Sequence, residues 1–418
     1  MASFRFIHCA DLHIDSPLRG LEADPDAPAD RIRAATRDAF QALVDYALDQ
    51  RVDFVIAAGD LYDGEWPDWR TGQFLIRQVA RLSEAGIPFI AISGNHDAQS
   101  VLSRDLRLPE PAVKLDHRRP QTLRLDRLGV AIHGQGFANA AVRDDLRRNY
   151  PTPEPGLFNI GVLHTNVDGR QGHENYAPCA LADLRAHGYH YWALGHVHTR
   201  AELSVNPWII YPGNLQGRSV RETGPRGAYV VSVADDRTVS PPAFVAFDTV
   251  RWASLAVDVS GAADADAALA LARASLAAAA AEAEDRLLAA RIRLTGTSDA
   301  AAALGRAPAD LRERLRGEIA GLDRVWIESL SVEVSPPGRD DAAAGPLLSA
   351  IGQVGAADLE EGAAAYCQAM LDRLPGLRDE LKTLEGAENL LALDRTRTLP
   401  PPLLAKAKAL LLAHLGDG

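Results

Sequence analysis

Between Phe4 and His198 an apolar run stops five times on aspartate, histidine or asparagine, and this rhythm constrains the fold more than any other feature of the chain. Phe4–Ala10 leads into Asp11-Leu12-His13, and Asp53–Ala58 into Gly59-Asp60-Leu61-Tyr62-Asp63. Ile87–Ile92 is followed by Gly94-Asn95-His96-Asp97, Asn159–Leu163 by His164-Thr165, and Tyr191–Leu194 by Gly195-His196-Val197-His198. The apolar runs have the length and composition of buried strands. Two segments of helical periodicity, Ala29–Gln50 and Trp69–Ala85, separate the first three, and Gly86 supplies a stop after the second. The resulting β-α-β-α-β order predicts an α/β fold with parallel strands. Further strands at Val130–His133, Trp208–Tyr211, Gly227–Val233 and Ala243–Asp248, with few long helices among them, point to a second sheet.

Ligands of open α/β sheets collect beyond the carboxyl ends of the strands. Five strand ends would therefore bring Asp, His and Asn side chains to one edge. Carboxylate, imidazole and amide oxygen without thiolate suit a hard or borderline divalent ion: Mn²⁺ foremost, with Fe²⁺ or Zn²⁺ as alternatives. One such triplet is weak evidence of a site, because Asp-x-His and Gly-Asn-His arise by chance; the ordered set of five carries the inference.

The rest of the chain limits the alternatives. No apolar run reaches membrane-spanning length, the Ala-rich stretch Ala267–Ala283 being interrupted by Arg273, Ser275 and Glu282. The three cysteines are scattered, form no metal-spaced cluster, and with the lack of a leader-like opening lead to the expectation of a cytoplasmic protein. There is no Gly-x-x-x-x-Gly-Lys-Ser/Thr phosphate loop, so ATP hydrolysis would need another chain. A formal charge of −12 argues against a generally basic nucleic-acid surface, although bound cations would offset it locally.

Composition changes near residue 250. The expected organisation is a first domain over 1–250, a small α+β accessory or cap domain over 251–335, and a helical C-terminal region over 346–418, with a Pro/Gly/Asp-rich linker at Ser335–Gly345. The last apolar segment, Leu403–Leu415, reads either as a helix packed on its own domain or as one docking on a partner.

The ordered motifs over residues 1 to about 250 resemble those of the calcineurin-like metallophosphoesterase superfamily. That resemblance implies a layered αββα sandwich and a pair of metal ions. One ion would take Asp11, His13, Asp60 and His198, the other Asp60, Asn95, His164 and His196, with Asp60 as the bridge. His96 would serve the leaving oxygen without binding metal, and Asp97 would orient it. The run Cys9-Ala10-Asp11-Leu12-His13-Ile14-Asp15-Ser16-Pro17-Leu18, together with Tyr211-Pro212-Gly213-Asn214 and Gln216-Gly217-Arg218-Ser219-Val220-Arg221-Glu222-Thr223-Gly224, is similar to SbcD- and YhaO-like DNA-repair nuclease subunits. This narrower likeness implies DNA as substrate, a coiled-coil ATPase of the SbcC or YhaN kind as partner, and a homodimer. It leaves two rival readings open: a nucleotide or cyclic-nucleotide phosphoesterase, and a DNA-end-binding scaffold.

Where some archaeal and eukaryotic relatives carry histidine, this chain has Asp63, as bacterial relatives often do; its role stands open between an acid supporting the site and a turn residue. Arg218 and Arg221 read as contacts to substrate phosphates or as solvated loop arginines. Arg312 and Arg316, a helical turn apart, read as a DNA-facing pair or as a solvated face shared with Glu313 and Glu318. His173, in the loop after His164, has no motif of its own but lies close enough in sequence to merit inspection.

Overall fold

The computed structural model describes residues 3–17, 24, 26–63, 69–99, 107–170 and 174–337. The chain divides into two compact units. The first comprises Met1–Leu255, Ser275–Arg291 and Ile319–Ser329; the second comprises Ala256–Ala274, Ile292–Glu318 and, among the described residues, the stretch from Leu330. The expected linker beyond residue 337, the C-terminal helices with Leu403–Leu415, and His173 lie outside the described residues.

Strands β1 (Phe4–Cys9), β2 (Phe54–Ala58), β3 (Phe89–Ile92) and β4 (Val113–Lys114) run parallel, with helices α1 (Ala29–Gln50) and α2 (Arg70–Glu84) as crossovers. Next come β5 (Gln121–Leu125), β6 (Val130–Gly134), β7 (Phe158–His164), β8 (Tyr191–Gly195), β9 (Ala201–Val205) and β10 (Trp208–Tyr211). They form a second six-stranded sheet of order β5-β6-β7-β8-β10-β9, in which β6, β7, β8 and β10 are parallel. The chain then returns to the first sheet through β11 (Gly227–Val233) and β12 (Ala243–Ala246), giving the order β12-β11-β1-β2-β3-β4.

Side-chain alternation explains the layering. In β1, Phe6 points to one face of its sheet and Ile7 and Cys9 to the other. Phe4, Phe6, Phe54, Ile56 and Ile90 meet Val130, Ile132, Phe158, Ile160 and Tyr191 between the two sheets. Phe6 and Phe54 stack there with ring centroids 4.9 Å apart. Each fully buried side chain of this size contributes on the order of 1.5–3 kcal/mol, so this apolar seam is the main tie between the sheets. The opposite face of the first sheet packs Ile7, Val55 and Phe89 against Leu43 and Val44 of α1 and Leu75, Val79 and Leu82 of α2. Trp192, Leu194 and Ile209 on the outer face of the second sheet pack with Leu184 of the short helix Leu181–Ala186. The result is two sheets flanked by helices.

Strands β13 (Val250–Asp258), β14 (Leu287–Thr297) and β15 (Val325–Ser335) form a third sheet of that order. The helix Ala265–Glu282 lies between β13 and β14 in sequence, and the helices Ala301–Arg306 and Pro308–Glu318 between β14 and β15. On the last of these helices Arg312 and Arg316 both approach the Glu313 carboxylate, at 3.3 and 3.1 Å. No described helix is long and apolar enough to cross a membrane.

Candidate metal centre

Parallel pairing places the carboxyl ends of β1, β2 and β3 side by side, and those of β7, β8 and β10 likewise in the facing sheet. Beyond β1 and β2 the chain continues in register: Asp11 N–H donates to Gly59 O at 3.0 Å, His13 N–H to Asp60 O at 3.1 Å, and Ile14 N–H to Leu61 O at 3.1 Å. To aim their side chains inward these loops use left-handed backbone, with φ of +50° at Asp11, +43° at His13, +50° at Asp60 and +96° at His196. Non-glycine residues pay for that conformation, and its concentration at four expected metal-binding residues marks a site stabilised by its surroundings. Gly59 is required for a different reason: at φ +95° an added Cβ would sit 2.4 Å from Nδ1 of His164.

Five of the seven expected metal-binding residues converge directly. His13 Nε2 lies 3.1 Å from His198 Nε2 and 3.9 Å from Asp60 Oδ2. Asp11 Oδ1 is 3.9 Å from His198 Nε2, and Asp60 Oδ2 is 3.3 Å from His164 Nε2. Asn95 joins through its Oδ1, 3.1 Å from His164 Nε2. His196 is adjacent, its ring centroid 5.2 Å from that of His164. Its backbone N–H donates to both Asp11 oxygens at 3.1 and 3.0 Å, and Nε2 donates to Glu174 O at 2.7 Å.

This donor set fits divalent metal. Nδ1 of His164 donates to Ala58 O at 2.9 Å, and Nδ1 of His198 donates to the Glu222 carboxylate at 2.8 Å, so each ring turns Nε2 inward. Donor atoms about 3 Å apart are what bonds of about 2 Å to a common ion require. Burial pushes the Asp11 carboxyl up to about 6 and the His13 imidazole down to about 3, while Asp60 is held well below the usual carboxylate range by His164 and His13 despite its own burial. Burial opposes charge on His164, yet Asp60 lifts it to about 9. The carboxylates thus demand positive charge at this spot, supplied by a proton on His164 and replaceable by a metal ion.

His96 stands at the rim, about one-third exposed, with Nδ1 2.8 Å from Asp63 Oδ1 and its backbone N–H donating to Asp60 Oδ1 at 2.9 Å. Against the effect of burial, Asp63 and Asp60 raise its pKa. The orienting role expected of Asp97 therefore passes to Asp63. Asp97 opens the 3-10 turn Asp97–Gln99, and its oxygens accept the backbone N–H groups of Gly94 at 2.9 Å, Leu61 at 3.1 Å and Tyr62 at 3.0 Å. It braces the loops that carry Asp60 and Asn95. Asp63 also accepts hydrogen bonds from Ser16 Oγ and from Arg218 Nη1, the latter at 3.1 Å. Of the two arginines, Arg218 lies inside this network and Arg221 is exposed.

The residue that sequence reasoning passed over is Glu222. It lies in the stretch Gln216–Gly224, between Arg218 and Arg221 on one side and Gly224 on the other. Its carboxylate accepts from His198, Asn214 Nδ2 and Arg218, and these bonds hold it ionised, well below its ordinary range, although it is largely buried. A Glu four residues from an Arg was the available signal, but its contact with His198 spans |i−j| of 24 and no spacing rule reaches it.

The calcineurin-like phosphoesterase family matches residues 4–200, and the middle domain of metallophosphoesterase YhaO matches residues 252–335. Over 266 residues the chain is 35% identical to a Bacillus subtilis protein called "Uncharacterized metallophosphoesterase YhaO", an alignment covering 63% of this chain and 65% of that protein. It is 25% identical over 252 residues to "DNA double-strand break repair protein Mre11" of Sulfurisphaera tokodaii, covering 56% and 61% of the two chains. To the protein of the same name from Halobacterium salinarum it is 30% identical over 242 residues, covering 56% and 57%. The chain thus spans less than two thirds of the length of each of these relatives. Strand ends that deliver aspartate, histidine and asparagine to one centre, inside the matched residues, agree with the family match: residues 4–200 form a calcineurin-like metallophosphoesterase domain, and the match to the YhaO middle domain follows it.

Proposed function

We propose that this protein is a two-metal-dependent phosphodiesterase acting on DNA, a nuclease subunit of DNA repair. The observation that carries the hydrolytic part is the inward convergence of His13, His198, Asp11 and His164 around Asp60, beside a histidine paired with its own carboxylate. The similarity to proteins named for double-strand break repair supports DNA as the substrate, as does a second domain that a minimal phosphatase lacks.

In this reading Asp11, His13, Asp60 and His198 hold one divalent ion, and Asp60, Asn95, His164 and His196 the other, Mn²⁺ being the first choice for an oxygen and imidazole set. When bound, two such ions supply Lewis acidity toward water and a phosphate ester. The chain's own part is positional. Asp60 faces both histidine groups, Asp97 fixes the loops, and Asp63 favours the protonated form of His96 and keeps it turned to the rim. Water oxygen bonds to phosphorus and releases a proton to solvent, the bond to the sugar oxygen breaks, and His96 gives that oxygen its proton. Arg221 is an exposed candidate for a backbone phosphate. A coiled-coil ATPase would bring duplex ends to the site, and the working form would be a cytoplasmic homodimer.

The test is cleavage of end-labelled linear DNA with Mn²⁺, beside bis-p-nitrophenyl phosphate, by wild type and by His96→Ala. Both substrates should be cut by wild type, with turnover strongly reduced in the variant. Cleavage of the small ester alone, with DNA still uncut after the ATPase is added, would favour a nucleotide phosphoesterase; neither being cut while DNA ends are bound would favour the scaffold.

A further inference from the structure

We propose that Arg218 is a positioning residue that fastens Asp63 to Glu222, and through these two carboxylates fixes His96 and His198 on the two sides of the site. The inference rests on the phosphodiesterase reading above and assigns Arg218 a role other than substrate contact. A continuous chain of contacts carries it. His96 Nδ1 meets Asp63 Oδ1 at 2.8 Å; Asp63 Oδ2 accepts from Arg218 Nη1 at 3.1 Å; Arg218 Nη2 donates to Glu222 Oε1 at 3.0 Å; and that same oxygen accepts from His198 Nδ1 at 2.8 Å. The Arg218 backbone N–H adds a bond to Glu222 Oε2 at 2.8 Å.

The geometry gives each link a distinct job. A planar guanidinium presents donors along separate edges, so one residue can grip two carboxylates at a set angle. Lysine cannot reproduce that fork. Asp63 comes from the loop after β2 and Glu222 from the loop before β11, and Arg218 ties these loops together. Asn214 Nδ2 holds the far oxygen of Glu222 at 2.9 Å, and Arg226 Nη1 in turn holds Asn214 Oδ1 at 2.8 Å, so the Glu222 end of the brace is itself anchored. Charge counts against a phosphate contact: the single guanidinium already faces two carboxylates, and the three together carry a net negative charge. Removing Arg218 would take away the cation shared by Asp63 and Glu222 and loosen the carboxylates that position His96 and His198.

Contacts that orient metal-binding residues typically control metal affinity or turnover by about 10–100-fold. The test titrates the metal-free full chain with Mn²⁺ by calorimetry and separately measures kcat and KM on bis-p-nitrophenyl phosphate, for wild type, Arg218→Gln, Arg218→Lys and Arg221→Gln. Arg218→Gln should bind at least one Mn²⁺ about 10-fold or more weakly and lose kcat, with KM within about 2-fold. Arg218→Lys should restore only part of both, and Arg221→Gln should match wild type in metal affinity. Unfolding midpoints show whether each variant is folded; should Arg218→Gln not fold, Arg218→Lys gives the same comparison. Unchanged Mn²⁺ affinity with a raised KM would overturn the proposal in favour of a substrate contact. Failure of wild type itself to bind Mn²⁺ would overturn the metal-centre reading, and the wild-type titration alone reveals that case.

Discussion

Asp63 holds His96 by a 2.8 Å contact between Oδ1 and Nδ1, so the histidine at the rim of the site is oriented by a carboxylate from a different strand end, 33 positions away in sequence. Asp63→Asn keeps the shape but loses the charge that favours protonated His96. The expected outcome is a kcat on bis-p-nitrophenyl phosphate lower by about 10–100-fold with little change in KM. A variant with undiminished kcat would remove Asp63 from the mechanism.

His96→Ala should cost more, about 10²–10⁴-fold in kcat, because it removes the proton donor and not merely its support. Its ring lies beside His13 and Asp60, but the proposed ligand set gives it to neither ion, so Mn²⁺ stoichiometry by calorimetry should stay at the wild-type value. Loss of an ion from this variant would show that His96 binds metal.

Asp60 faces His13 on one side and His164 on the other, at 3.9 and 3.3 Å. Asp60→Asn is expected to weaken both ions together. A ligand present at about 100 times its Kd stabilises a fold by about 2.7 kcal/mol, so Mn²⁺ should raise the melting temperature of wild type, EDTA should reverse the rise, and Asp60→Asn should show little of either. Full metal occupancy in Asp60→Asn would rule out the bridge.

Gly59→Ala combines a positive φ with an approach of 2.4 Å to the His164 ring. Backbone strain alone is worth on the order of 1–3 kcal/mol, and displacement of His164 adds to it. The urea midpoint should fall, and Mn²⁺ affinity with it. Wild-type values of both would mean the turn has room that its geometry denies.

His8 titrates apart from the metal centre. It is fully buried, its Nδ1 2.9 Å from the Tyr191 hydroxyl and its Nε2 3.1 Å from Leu194 O, and burial lowers its pKa from 6.5 to about 3. The unfolded chain therefore takes up a proton below 6.5 that the folded chain refuses until about 3. The stability from a neutral His8 is present above pH 6.5 and is lost as pH falls, at about 1.4 kcal/mol per unit, or about 2 kcal/mol by pH 5. Denaturant midpoints at pH 7 and 5 should differ less in His8→Gln than in wild type; equal differences would mean His8 is not the buried neutral group.

Periodicity served well where strands are central and apolar. Val130–Gly134, Trp208–Tyr211 and Gly227–Val233 are all strands, because buried central strands carry their own pattern. Of the edge strands in these two sheets, β12 (Ala243–Ala246) was legible and β4, β5 and β9 were not. Val113–Lys114 is only two residues long, Gln121–Leu125 is half polar, and Ala201–Val205 is mostly solvent-facing. What makes them strands is a neighbour's backbone, which lies elsewhere in the chain.

The sequence by itself determined the class of fold and the kinds of atoms available to the site, because apolar runs ending in Asp, His and Asn can be read locally and parallel strands must bring their ends to one edge. Tertiary structure alone decided which carboxylate serves which histidine. Asp97 is next to His96 in the chain, yet its oxygens turn to the N–H groups of Gly94, Leu61 and Tyr62, and Asp63 reaches the ring from another strand end. Glu222 meets His198, and Arg218 joins Glu222 to Asp63, only once the two sheets have packed. Hydrogen bonds are short and directional, so their partners are set by positions in space that packing fixes, and spacing along the chain does not encode them.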